Sequence, residues 1–182
     1  WWSERLVWIG LAFAPSSLLL GATEYVTTDI ASVPLLWVLP LALYLASFIV
    51  AFAKRQILRS AVLSRATALV AALVVAITLA DVAGPAWLVV GVHMLLLFLA
   101  SVVCHRALAE RRPPASRLTE FYLSISVGGV LGGAFNGLVA PFVFDDLVEY
   151  PIAIGLVCLA RAALDAESLA GGRKAILRDV AL

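Results

Sequence analysis

Two short polar segments hold most of the groups able to bind a cation. Residues 21–32 read GATEYVTTDIAS and residues 145–151 read DDLVEYP. Together they supply Glu24, Asp29, Asp145, Asp146 and Glu149, with Thr23, Tyr25, Thr27, Thr28 and Tyr150 beside them. Carboxylate and hydroxyl oxygens suit hard cations. A mouth lined by one sign of charge concentrates ions of the other, here a metal ion or a polyamine. Glu24 and Asp29 are the expected direct ligands, being flanked by Tyr25, Thr27 and Thr28, whereas Asp145 and Asp146 are adjacent and cannot both point inward on a regular helix. No EF-hand-like spacing is present, and ordinary solvation of an outer loop accounts for the same acids.

The two histidines offer less. His93 and His105 are twelve positions apart, about 18 Å along a helix, too far to share one metal. A buried histidine hydrogen-bonded to a neighbouring helix is the commoner arrangement. Cys104-His105-Arg106 is too short a signature for a nucleophile and its base. Gly171-Gly172 follows no strand and is no nucleotide fingerprint. Neither a metal site nor a cofactor site is expected, and no catalytic constellation is visible.

Ser124, Gly128, Gly132 and Asn136 recur at spacing four, beside a second row of Gly129, Gly133 and Gly137. Rows at that spacing share a helix face, and faces of small residues let helix backbones approach closely in lipid. Such a face serves either as static packing or as the lining of a sliding helix, and static packing is the favoured reading. Asn136 requires a partner for its amide. With His93 it forms the polar content expected at mid-depth, where no Asp or Glu lies.

The elements that position these groups follow from composition. Of 182 residues, 63% are hydrophobic and 14% charged, against about 45–50% and about 25% in a soluble domain. That excess argues against a soluble enzyme, a disordered tail and a nucleic-acid-binding domain. The two cysteines, Cys104 and Cys158, lie in apolar runs and suggest no disulfide framework. A helix needs about 20 apolar residues to cross the hydrocarbon core. Residues 33–53, 82–104 and 121–144 meet that length with no charge among them, and residues 6–20, 66–80 and 150–160 are shorter. The sixth spans only if it continues past Arg161 to 164. The expected fold is all-α, an integral membrane bundle of about six helices over residues 1–164. Pro40 and Pro141 interrupt the second and fifth spans, and Ser116 is the expected N-cap of the fifth.

Charge placement supports six spans independently. Arg5, then Lys54, Arg55, Arg59 and Arg65, then Arg106, Arg111, Arg112 and Arg117, then Arg161, Arg173, Lys174 and Arg178 all fall on one side. The opposite loops hold Glu24, Asp29, Asp81, Asp145, Asp146 and Glu149 and no Lys or Arg. The positive-inside rule then puts both termini in the cytoplasm. Residues 165–182 are charged and form a cytoplasmic amphipathic tail or a linker. The chain opens on Trp1-Trp2 with no initiator Met, which reads as part of a longer protein.

The segments GATEYVTTDIASVPLLWVLPLALYLASFIVAF and CHRALAERRPPASRLTEFYLSISVGGVLGGAFNGLVAP, with the later EYP, cover about two fifths of the chain. They resemble the multi-pass membrane region of bacterial fused membrane/spermidine-synthase-like proteins, in which a helical, transporter-like region precedes a Rossmann-type aminopropyltransferase-like domain. No βα unit is legible in these residues, so the resemblance implies a non-enzymatic module of the bacterial inner membrane. Its partners would be lipid, other helices or a cytoplasmic domain, and its ligand a small cation such as a polyamine. The alternative is an accessory transmembrane subunit packed on a larger membrane complex through its Gly face and through Trp37 and Trp87. No nucleic-acid partner is expected.

Overall fold

The computed structural model describes residues 2–30, 35–53, 60–80, 84–143 and 150–164, with the side chains of 29, 30 and 79 outside that description. Among the described residues the regular structure is all helical. We number the helices α1 (Trp2–Tyr25), α2 (Val38–Ala51), α3 (Ser60–Leu79), α4 (Ala86–Glu110), α5 (Leu118–Ala134) and α6 (Tyr150–Leu164). A π-helical turn, Val26–Ile30, prolongs α1. A 3-10 turn, Ala115–Arg117, leads into α5, and a π turn, Phe135–Val139, with a last α turn, Ala140–Val143, follows it.

Among the described residues four segments are long and apolar enough to cross a membrane: Trp2–Thr28, Ser60–Thr78, Ala86–Glu110 and Ala115–Val143. The first of these exceeds the 6–20 core expected from hydropathy. The second expected span is the shorter one. Its helix covers only Val38–Ala51, about 21 Å at 1.5 Å per residue, against a core of about 30 Å. It is preceded by a turn that includes Leu35 at φ 67°. Pro40 therefore does not interrupt α2. It lies in the first turn, where a backbone N–H has no intrahelical acceptor in any case. Ser116 is not the cap of α5 either, since it lies within the 3-10 turn and no side chain caps the helix. Pro141 is absorbed by a wider turn, in which the Ala140 N–H reaches the Phe135 carbonyl five residues back. Local π geometry of this kind re-satisfies backbone groups near a membrane proline.

Long-range contacts order the helices end to end. Arg5 meets Glu120 and Trp8 meets Phe121, while further along Ser17 meets Asn136. The pairings progress in the same direction on both chains, so α1 and α5 run parallel. His93, near the start of α4, stacks on Tyr25 at the end of α1, which makes α4 antiparallel to α1. The buried clusters sort likewise. One contains Trp8, Leu108 and Phe121 with Phe52 and Leu164 against it. Another contains Val26, Val74, Met94 and Tyr150 with Leu36 against it. The starts of α1 and α5 thus share an end with the finishes of α2, α4 and α6.

The exterior is apolar. Phe142 is 90% exposed, Ile49 74%, Leu69 73% and Val130 70%. Water would penalise every one of these side chains, and lipid would not. Trp2 at one end of the bundle and Trp37 and Trp87 toward the other are exposed as well, as expected of residues anchored at the two interfaces.

Candidate functional site

The glycine row of α5 brings its backbone against that of α1. Ser124, Gly128, Gly132 and Asn136 are all buried, and they face α1. A Cβ on Gly128 would collide with the Ile9 carbonyl oxygen and stand 2.8 Å from the Ala12 methyl. One on Gly132 would stand 2.7 Å from the Phe13 carbonyl oxygen and 2.9 Å from the Ser17 nitrogen. Only glycine admits backbone against backbone at this distance. The second row behaves differently. Gly129 and Gly133 would make ordinary contacts, with Ser16 Oγ at 3.6 Å and Leu20 Cδ1 at 3.8 Å. Gly137 is exposed, and a Cβ there would meet nothing within 4 Å. The tight backbone contact is therefore confined to one row, with Gly129 and Gly133 in ordinary contact with α1 beside it, and the assignment of Gly137 to the packing face is corrected: one residue beyond Asn136, it is exposed and meets nothing.

Asn136 closes the far end of the seam. Its Nδ2 donates to Ser17 Oγ at 2.7 Å and to the Gly132 carbonyl at 3.0 Å. The near end is ionic. Glu120 accepts from Arg5 and Arg117, and Arg117 also donates to Glu4 at 3.0 Å. The Arg117 guanidinium lies 5.5 Å from the Trp8 ring centroid, within cation–π range. One helix pair is thus fixed by an amide at one end, a charge cluster at the other and glycines between.

His93 and His105 each join α4 to another helix. His93 Nδ1 lies 2.6 Å from the Tyr150 hydroxyl, and Tyr25 stacks on both rings, at 4.8 Å and 5.3 Å. His105 Nδ1 lies 2.8 Å from Ser47 Oγ, with Phe48 stacked 3.5 Å away. Tyr44 approaches His105 edge-on and pairs with Ser16 of α1 at 2.8 Å. Sequence reasoning missed Ser16, Ser17, Tyr44, Ser47 and Ser101. The one available signal was the spacing of four between Ser101 and His105.

The two polar segments meet at their tyrosines. Tyr25 stacks on Tyr150, and Gly21 lies against the Tyr150 backbone, its would-be Cβ 3.2 Å from Tyr150 Cα. Glu24 and Thr28 are exposed at that end, and Thr27 donates to the Thr23 carbonyl. The Asp29 side chain, Asp145, Asp146 and Glu149 lie outside the described residues. Among the described residues no three His, Cys, Asp or Glu side chains gather as a metal site would require. Compared with protein-family models, with curated proteins and with solved structures, the chain matches none.

Proposed function

We propose that this chain is a non-enzymatic, multi-pass module of the bacterial inner membrane that anchors and assembles a larger unit, of the spermidine-synthase-like kind its sequence resembles. In this reading six segments cross the bilayer, both termini are cytoplasmic, and α2 and α6 are the thin members. The observation that carries it is the α1–α5 seam. Backbones held in contact through Gly128 and Gly132 are suited to a fixed scaffold, because sliding would drive side chains into the Ile9 and Phe13 carbonyls. The apolar exterior supplies lipid contact around that scaffold.

A second reading, a cation-binding mouth, is favoured by the stacking of Tyr25 on Tyr150, one tyrosine from each acidic stretch of sequence. Two experiments separate the readings. A soluble reporter fused after residue 182 should stay with membranes through alkaline carbonate extraction; release into the supernatant would overturn the anchoring role. Proteoliposomes given labelled spermidine should take up no more than protein-free vesicles. Uptake that saturates would replace the scaffold by a conducting module.

A further inference from the structure

Ser101 and His105 lie one turn apart on α4, on one face, and both are fully buried. Among the described residues neither Ser101 Oγ nor His105 Nε2 has a hydrogen-bonding partner. Other hydroxyls in these helices satisfy themselves: Thr23, Thr67, Thr78 and Ser124 each donate to the carbonyl four residues back. Ser101 makes no such bond, so its proton is uncommitted.

The state of His105 follows from its other nitrogen. Ser47 has one hydroxyl proton and donates it to the Tyr44 carbonyl at 2.5 Å. Toward His105 Nδ1, 2.8 Å away, the same oxygen must accept. Neutral His105 therefore carries its proton on Nδ1 and presents Nε2 as a bare lone pair. Phe48, stacked on the imidazole, and Tyr44, held by Ser16, fix the ring's plane. An acceptor and an uncommitted hydroxyl thus lie one helical turn apart inside an apolar bundle, where an unpaired polar group is costly and a bridging group would relieve both.

The geometry points to a buried site for one hydroxyl group, a water molecule or a lipid-borne alcohol, which donates to His105 Nε2 and pairs with Ser101 Oγ. An O–H is the smallest group that is donor and acceptor at once, and it needs no counter-charge. The site lies near the opposite end of α4 from the Tyr25–Tyr150 contact and does not depend on the cation reading.

Nitrogen-15 magnetic resonance of histidine-labelled protein in lipid nanodiscs tests it. Expected for His105 are a protonated Nδ1 and an unprotonated, hydrogen-bonded Nε2. Polarisation transfer from water to Nε2 identifies the occupant as water. A hydrogen-bonded Nε2 without that transfer, freed when native lipid is exchanged away, identifies a lipid hydroxyl. Ser101→Ala should move the Nε2 resonance toward its unbonded position, and Ser101→Thr should restore it. Ser47→Ala, which leaves Ser101 intact, should release the tautomer. A protonated Nε2 in the unmodified protein, an Nε2 free of any hydrogen bond, or a resonance indifferent to Ser101→Ala would each overturn the site.

Discussion

Replacing Gly128 with alanine adds one methyl group at the tightest point of the α1–α5 seam. That carbon would collide with the Ile9 carbonyl oxygen and sit 2.8 Å from the Ala12 methyl. Carbon atoms rest about 3.5–4.0 Å apart, so the two helices must part by roughly 1 Å. A gap of that size forfeits about a quarter to a half of each contact's attraction along the seam. Overpacking of this sort costs about 1–3 kcal/mol. The helices are parallel, so the displacement also reaches the Asn136–Ser17 bond, 2.7 Å long in the native seam. A loss of about 2 kcal/mol lowers the folded-to-unfolded ratio roughly thirtyfold. The assay is unfolding of the purified protein in mixed micelles of rising SDS fraction, followed by tryptophan fluorescence. Gly128→Ala should unfold at clearly lower SDS, with Gly132→Ala next. Gly129→Ala should be near neutral. Gly137→Ala, whose new methyl meets nothing within 4 Å, should be unchanged or firmer, alanine being the better helix former by about 1 kcal/mol. Equal tolerance at Gly128 and Gly137 would refute the backbone-contact argument.

Three further outcomes are expected. Asn136→Ala and Ser17→Ala should each destabilise by about 0.6–1.7 kcal/mol, the range for hydrogen bonds between membrane helices, and the double variant should fall short of their sum in the same SDS titration. Glu120→Gln leaves Arg5 without its carboxylate while Arg117 keeps Glu4; it should lower the unfolding midpoint at low salt, and the deficit should shrink as the screening length falls from about 30 Å at 0.01 M to about 3 Å at 1 M. If the outer mouth binds cations, Glu24→Gln with Asp29→Asn should weaken spermidine binding in calorimetry, again less so at high salt; absence of any binding heat with the unmodified protein removes the mouth from consideration.

Much of the fold was legible because lipid imposes simple rules. Apolar runs and one-sided charge located the helices and their alternation, which the pairings Arg5–Glu120 and Tyr25–His93 reproduce in direction. Lengths were less legible. Hydropathy marked 33–53 as an unbroken span, yet the helix starts only at Val38, after a turn containing Leu35. Conversely, Trp2, Glu4 and Arg5 interrupt the hydropathy of the first span while remaining helical, since at a membrane interface charge ends the apolar run without ending the helix. The spacing of four marked the buried row of α5 but could not distinguish it from the Gly129–Gly133 row beside it, because which row meets the α1 backbone depends on the position of the partner. The histidine partners were illegible for the same reason: Ser47 and Tyr150 are 58 and 57 residues from His105 and His93.

The membrane module itself is tested most directly by where its loops lie in living cells. With Cys104 and Cys158 replaced, single cysteines at Arg59, Asp81, Arg112 and Asp146 can be challenged with a membrane-impermeant maleimide. Asp81→Cys and Asp146→Cys should label in intact cells, and Arg59→Cys and Arg112→Cys only after the inner membrane is permeabilised. Labelling of Arg59→Cys or Arg112→Cys in intact cells would contradict the six-span, cytoplasmic-termini arrangement on which the proposed function stands.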